Sequence, residues 1–209
     1  MSSRSGSVLL KIGGLGFFLG FASWIAWAVL AVLSFEGILL YNDDFRWMSG
    51  VFFQAPSSRL IFYGLLSLSS LFSAVGCFAL SKEKASGLGL VSGILFVATF
   101  VVTVAYSLLF YARNLFPLLF FLGLILWGAT LWTIAGEIGV LGVLGLSRAT
   151  GTILVVSGAF GILSLPAILY WGFELWLLLL GWLYAAGALM TALIFFRVSR
   201  TPQNKTLHT

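Results

Sequence analysis

Asp43 and Asp44, with Arg46 two positions further on, are the residues of this chain best suited by type and spacing to do chemistry. Adjacent carboxylates can bind a divalent cation or share a proton, and aspartate-rich segments hold magnesium–diphosphate in some membrane transferases. Here the pair stands alone. No second acidic cluster in another loop completes such a site, so capping of a short helix over 45–53 or a salt bridge to Arg46 is the simpler expectation. Glu137 is expected to pair with Arg148 or to cap a backbone, and Glu174 to favour the N-terminus of the helix it opens.

A second set is neutral. Ser67, Ser70, Ala74 and Cys77 recur at spacings of three and four residues, as do Thr99, Thr103 and Tyr106 downstream of Ser92, and that rhythm defines one helical stripe in each segment. Hydroxyls facing hydrocarbon need partners, though Ser and Thr also bond back to the preceding turn of their own helix. Two readings follow. The stripes face each other as the glue of a tight antiparallel hairpin, or Ser70, Thr99, Thr103 and Tyr106 form a polar seam that admits water or a small neutral solute.

Other chemistries lack residues. The single cysteine, Cys77, allows neither an internal disulfide nor a Cys-X-X-Cys pair, and the only histidine, His208, leaves no paired haem ligands and no histidine cluster for a metal. Serine-nucleophile, phosphate-loop and His-Glu-x-x-His signatures are absent. The expectation is a protein with no cofactor and no metal.

The elements that carry these residues follow from composition. With 61% hydrophobic and 8% charged residues, the chain lies far from the soluble norm of roughly 25% charged. Crossing hydrocarbon takes about 20 apolar residues in a helix, because the backbone has no other partner there. Apolar runs at 12–33, 60–80, 87–111, 115–135, 151–170 and 175–196 meet that length, and none contains Asp, Glu, Lys, Arg or His. The fold class expected is all-α, a polytopic six-helix bundle forming a single transmembrane domain. The first run exceeds a signal-peptide core of roughly 7–15 residues and reads as a retained helix.

Charge sets the orientation. Placing the N-terminus inside puts Arg4, Lys11, Lys82, Lys84, Arg148, Arg197, Arg200 and Lys205 in the cytoplasm. Arg46, Arg59 and Arg113 are then left outside, which accounts for all 11 basic residues. Both termini are therefore expected in the cytoplasm, with 197–209 as a cytoplasmic tail. The membrane is that of a prokaryotic cytoplasm or a eukaryotic endomembrane. The net charge of +5 fits attraction to anionic lipid, and no basic stripe interleaved with exposed aromatics points to nucleic acid.

One connection is long. Residues 34–59, rich in Phe, Leu and Trp, are expected to lie along the outer interface. Gly136, Gly139, Gly142 and Gly145 mark the 136–149 stretch as a hinge, an interfacial coil or a re-entrant segment, since each glycine weakens a helix by about 1 kcal/mol. Pro117 suits a first helical turn, whereas Pro166 falls inside the fifth run and is expected to bend it.

Gly16 and Gly20 share one helix face, as do Gly89 and Gly93, and such pairs let a neighbouring backbone approach closely. Gly14-Leu15-Gly16 with Gly20 recurs at a constant offset as Gly87-Leu88-Gly89 with Gly93, a weak echo between two helical hairpins. Of the eight tryptophans, Trp47, Trp171 and Trp176 suit interfaces, and Trp24, Trp27 and Trp127 suit packing.

No motif is specific enough to name a family. The functional expectation is a non-catalytic accessory or structural subunit that works by contact with lipid and with a membrane-protein partner or a second copy. A carrier or channel for a small neutral or lipid-like solute is the alternative, and an interfacial lipid-modifying enzyme using Asp43, Asp44 and Arg46 ranks third.

Overall fold

A backbone N–H in hydrocarbon has no partner outside its own helix or sheet, and the described residues of this chain satisfy their backbone in helices. The computed structural model describes residues 3–35, 56–84, 86–109, 115–135, 143–171 and 174–200, with side chains over 6–26, 64–84, 86–105, 118–135, 143–164 and 181–200. Among these lie α1 (Ser3–Phe35), α2 (Pro56–Lys84), α3 (Gly87–Leu109), α4 (Leu115–Thr133), α5 (Val143–Trp171) and α6 (Glu174–Arg200). No strand occurs among the described residues. Five of the six helices are long and apolar enough to cross a membrane, and α4 contributes a shorter apolar stretch, Leu118–Thr133. The chain is an all-helical membrane protein.

Helices α1 and α5 begin eight or nine residues earlier than hydropathy indicates, and α2 four. Helix α1 takes in Arg4 and Lys11, because a charged side chain leaves the backbone free to stay helical while its head group reaches water. Helix α5 starts at Val143, so Gly145 and Arg148 are helical rather than part of a connector. Gly136, Gly139 and Gly142 lie outside the described residues, as do Asp43, Asp44, Arg46 and Glu137. The α5 backbone continues through Pro166 to Trp171.

Ser86 both closes α2 and opens α3. The Ser86 N–H donates to the Ser81 carbonyl at 3.1 Å, a six-to-one bond that closes the end of α2, while the Ser86 hydroxyl accepts from the Gly89 N–H and caps α3. The two helices consequently run antiparallel and in contact.

Each helix packs on its neighbours in sequence, and α6 returns to pack on α1, so the six close into a ring. The closing contact is antiparallel. Ser7 of α1 donates its hydroxyl to the Ser199 carbonyl of α6 at 2.8 Å, which brings the start of the first helix and the end of the last to one face of the ring. Lys11, Lys82, Lys84, Arg148, Arg197 and Arg200 occupy that end of their helices. The outer surface is apolar, with Leu163 at 76% exposure and Val8, Val101 and Trp182 more than half exposed, as lipid contact requires.

Candidate functional site

The ring has an axis, and aromatic side chains occupy it. Phe17 of α1 stacks on Trp127 of α4 with centroids 5.9 Å apart and planes at 20°, so side chains from opposite helices meet in the middle. Phe96 of α3 meets Phe17 edge-on at 5.9 Å, and Phe195 of α6 lies 5.8 Å from Phe17 and 5.5 Å from Trp127. The next layer continues the stack: Phe96 contacts Phe120, which contacts Tyr184, which contacts Trp24. Phe17, Phe96, Trp127 and Phe195 are all at most 1% exposed. Helix α2 meets this cluster with smaller groups, among them Ala74 and Cys77, which leave room for the rings.

Polar groups sit between the helices. The Ser69 hydroxyl of α2 donates to the Gly16 carbonyl of α1 at 2.9 Å, and the Tyr184 hydroxyl of α6 lies beside it at Gly20, so three helices meet there. Gly20 faces this junction; a methyl there would fall 2.7 Å from the Ser69 hydroxyl and onto that of Tyr184. Ser92 of α3 donates to the Gly123 carbonyl of α4 at 3.0 Å. Ser147 of α5 donates to the Leu131 carbonyl of α4 at 2.8 Å.

Threonines behave differently. Thr99 donates to the Leu95 carbonyl at 2.8 Å and Thr103 to the Thr99 carbonyl at 2.7 Å, both one turn back on their own helix. Thr130, Thr150 and Thr191 do the same. Among the described residues, every hydroxyl donated from one helix to the backbone of another is a serine's. Serine lacks the methyl that would hold two backbones apart, whereas threonine keeps its β-branch and satisfies its hydroxyl locally.

The residues named from the sequence are therefore distributed. Thr99 and Thr103 lie on one face of α3 with their hydroxyls committed, and Tyr106 follows on the same helix with its side chain outside the described set. Ser70 is 2% exposed and its hydroxyl has no hydrogen-bond partner among the described residues. The Trp127 indole nitrogen and the Ser157 hydroxyl are likewise buried without one.

The four glycines flank α2 from its two sides. Gly16 lies against the backbone of Phe72 and Ser73, and Gly89 and Gly93 against the Ser81 hydroxyl and the Phe78 ring. Two further approaches, backbone to backbone, are not singled out by spacing. A methyl on Gly76 would sit 2.6 Å from the Gly13 Cα, and methyls on Gly128 and Gly151 would each sit 2.6 Å from the other's carbonyl oxygen.

Ser69, Tyr184 and Ser147 were also missed. A spacing rule selects a stripe without knowing which neighbour it faces, and Ser69 lies one position off the stripe that holds Ser70. Its own rhythm with Ser73 and Gly76, at four and three residues, carries the same signal.

Among the described residues no group of three His, Cys, Asp or Glu side chains converges as a metal site would require. What the arrangement does chemically is to hold helices together by serine-to-carbonyl bonds and glycine contacts around a filled axis. Comparison with known protein families, with characterised proteins and with solved structures returns no match.

Proposed function

We propose that the chain is a six-span membrane protein with both termini in the cytoplasm, acting by contact as a non-catalytic accessory or structural subunit of a larger membrane assembly. The observation that carries this reading is the stack of Phe17, Phe96, Trp127 and Phe195, which fills the space a transport path along the ring axis would need. The two described hydroxyls of α3 in the suggested seam support it too, since their donors are already spent on their own helix. Extraction in mild detergent followed by native mass spectrometry tests the proposal. A second membrane protein or a second copy in fixed stoichiometry is the expected result, and recovery only as a free monomer overturns it.

Carriage of a small neutral or lipid-like solute is the second reading, favoured by the buried unpartnered hydroxyl of Ser70. Such a group costs about 1–3 kcal/mol of desolvation unless something bonds it, and a polar solute would. Ser70→Ala in proteoliposomes separates the readings. A carrier loses flux, whereas a contact protein keeps its partner and gains slightly in stability.

A further inference from the structure

We propose that the groove between α4 and α5 on the lipid-facing side is a binding site for one anionic phospholipid, its phosphate held by Arg148 and an acyl chain lying along Ala129, Val155 and Val156. The groove has a volume of about 390 Å³ and is lined by those three residues with Trp132, Thr133 and Thr152. It opens toward lipid, for Trp132 is 49% and Val156 45% exposed.

The mouth of the groove is built. The Trp132 indole N–H donates to the Thr152 hydroxyl at 2.9 Å, and that hydroxyl donates to the Arg148 carbonyl at 3.0 Å, which fixes the indole plane. The Arg148 guanidinium lies 5.4 Å from the centroid of that ring. A cation held over an aromatic face keeps its N–H edge for another acceptor, and a phosphate takes two such donors side by side.

Depth agrees with charge. Arg148 stands near the start of α5, on the basic face that also carries Lys82, Lys84, Arg197 and Arg200, so a headgroup there lies at the interface while the apolar lining runs toward the bilayer centre. Cation outside and hydrocarbon inside is the polarity of a phospholipid, and a water-soluble phosphate would leave Ala129, Val155 and Val156 uncovered.

Trp132 is its own reporter. Wild-type protein and Trp132→Phe are reconstituted in bilayers containing a minority of brominated phosphatidylglycerol or, separately, brominated phosphatidylcholine; the difference between the two proteins gives quenching of Trp132 alone. The expected result is about fivefold stronger quenching by the anionic lipid, the gain of one basic side chain at an anionic surface. Arg148→Gln should abolish that preference, and Val155→Phe, which fills the groove without adding an indole, should abolish it too and lower quenching by both lipids. Equal quenching by the two lipids in wild type, as expected were a carboxylate such as Glu137 to neutralise the guanidinium, overturns the proposal. So does a preference unchanged in folded Arg148→Gln, or one removed by millimolar glycerol phosphate. Should Arg148→Gln fail to fold, the wild-type preference and its loss in Val155→Phe decide the matter.

Discussion

Phe17 and Trp127 stack at 5.9 Å across the ring, joining α1 to the helix opposite it. No hydrophobic drive separates helix from lipid inside a bilayer, so helices are held by close contact and by dispersion between well-fitted side chains. These two rings supply that contact between helices that are not neighbours in the ring.

Phe17→Ala should therefore destabilise the ring strongly, by about 3–5 kcal/mol if the site collapses no better than a soluble core does. Trp127→Phe keeps a ring at the axis and removes an indole N–H that lacks a bond, so it should cost less than about 1.5 kcal/mol. Trp182, 55% exposed to lipid, serves as the control, and its replacement by Ala should change little. Denaturant unfolding in mixed micelles, followed by circular dichroism, gives the order. A Trp182 effect as large as that of Phe17 would contradict a filled, stabilising axis.

The glycine contacts make a sharper demand. Gly76→Ala places a methyl 2.6 Å from the Gly13 Cα, and two backbones must move apart to admit it. A cost of about 1–3 kcal/mol is expected for such overpacking. Gly64→Ala and Gly145→Ala, where nothing lies within 4 Å, should instead stabilise their helices by up to about 1 kcal/mol. Thermal denaturation of the three variants shows opposite signs if the helices meet as described.

Much of this was legible in the sequence and some was not, for identifiable reasons. Apolar runs free of charge marked the helices, because only length and polarity decide whether a segment suits hydrocarbon. The ends were less visible: Arg4, Lys11 and Arg148 interrupt a hydropathy window without interrupting a helix. Glycine spacing flagged Gly16 and Gly20 but passed over Gly13 and Gly76, whose contact depends on the register between two helices rather than on either alone. Hydroxyl stripes treated Ser and Thr as equivalent, and only packing shows that Ser69 reaches across while Thr99 turns back.

That distinction is measurable. Ser69→Ala removes a bond between α2 and α1, at about 0.6 kcal/mol and up to about 1.7 kcal/mol on the scale of hydrogen bonds measured in membranes. Thr103→Val keeps the side-chain shape and removes a bond internal to α3, so stability should change by less than about 0.5 kcal/mol. Solute flux in proteoliposomes should also be unchanged in Thr103→Val. A loss of flux with normal expression would instead favour the carrier reading.

Topology can be tested with the chain's own chemistry. Cys77 is wholly buried, so native protein offers a thiol reagent almost no background. Ser2→Cys and Thr209→Cys each add one reactive thiol to a tail, and the Ser7–Ser199 bond places the helix ends that carry those tails on one face. In sealed cells both thiols should resist a membrane-impermeant maleimide, and both should react once the membrane is opened, since the basic residues of short segments gather on that face and such residues stay cytoplasmic. Labelling of both tails in intact cells would invert the ring without altering it. Labelling of only one would break the closure of α6 on α1, and with it the account of the filled axis.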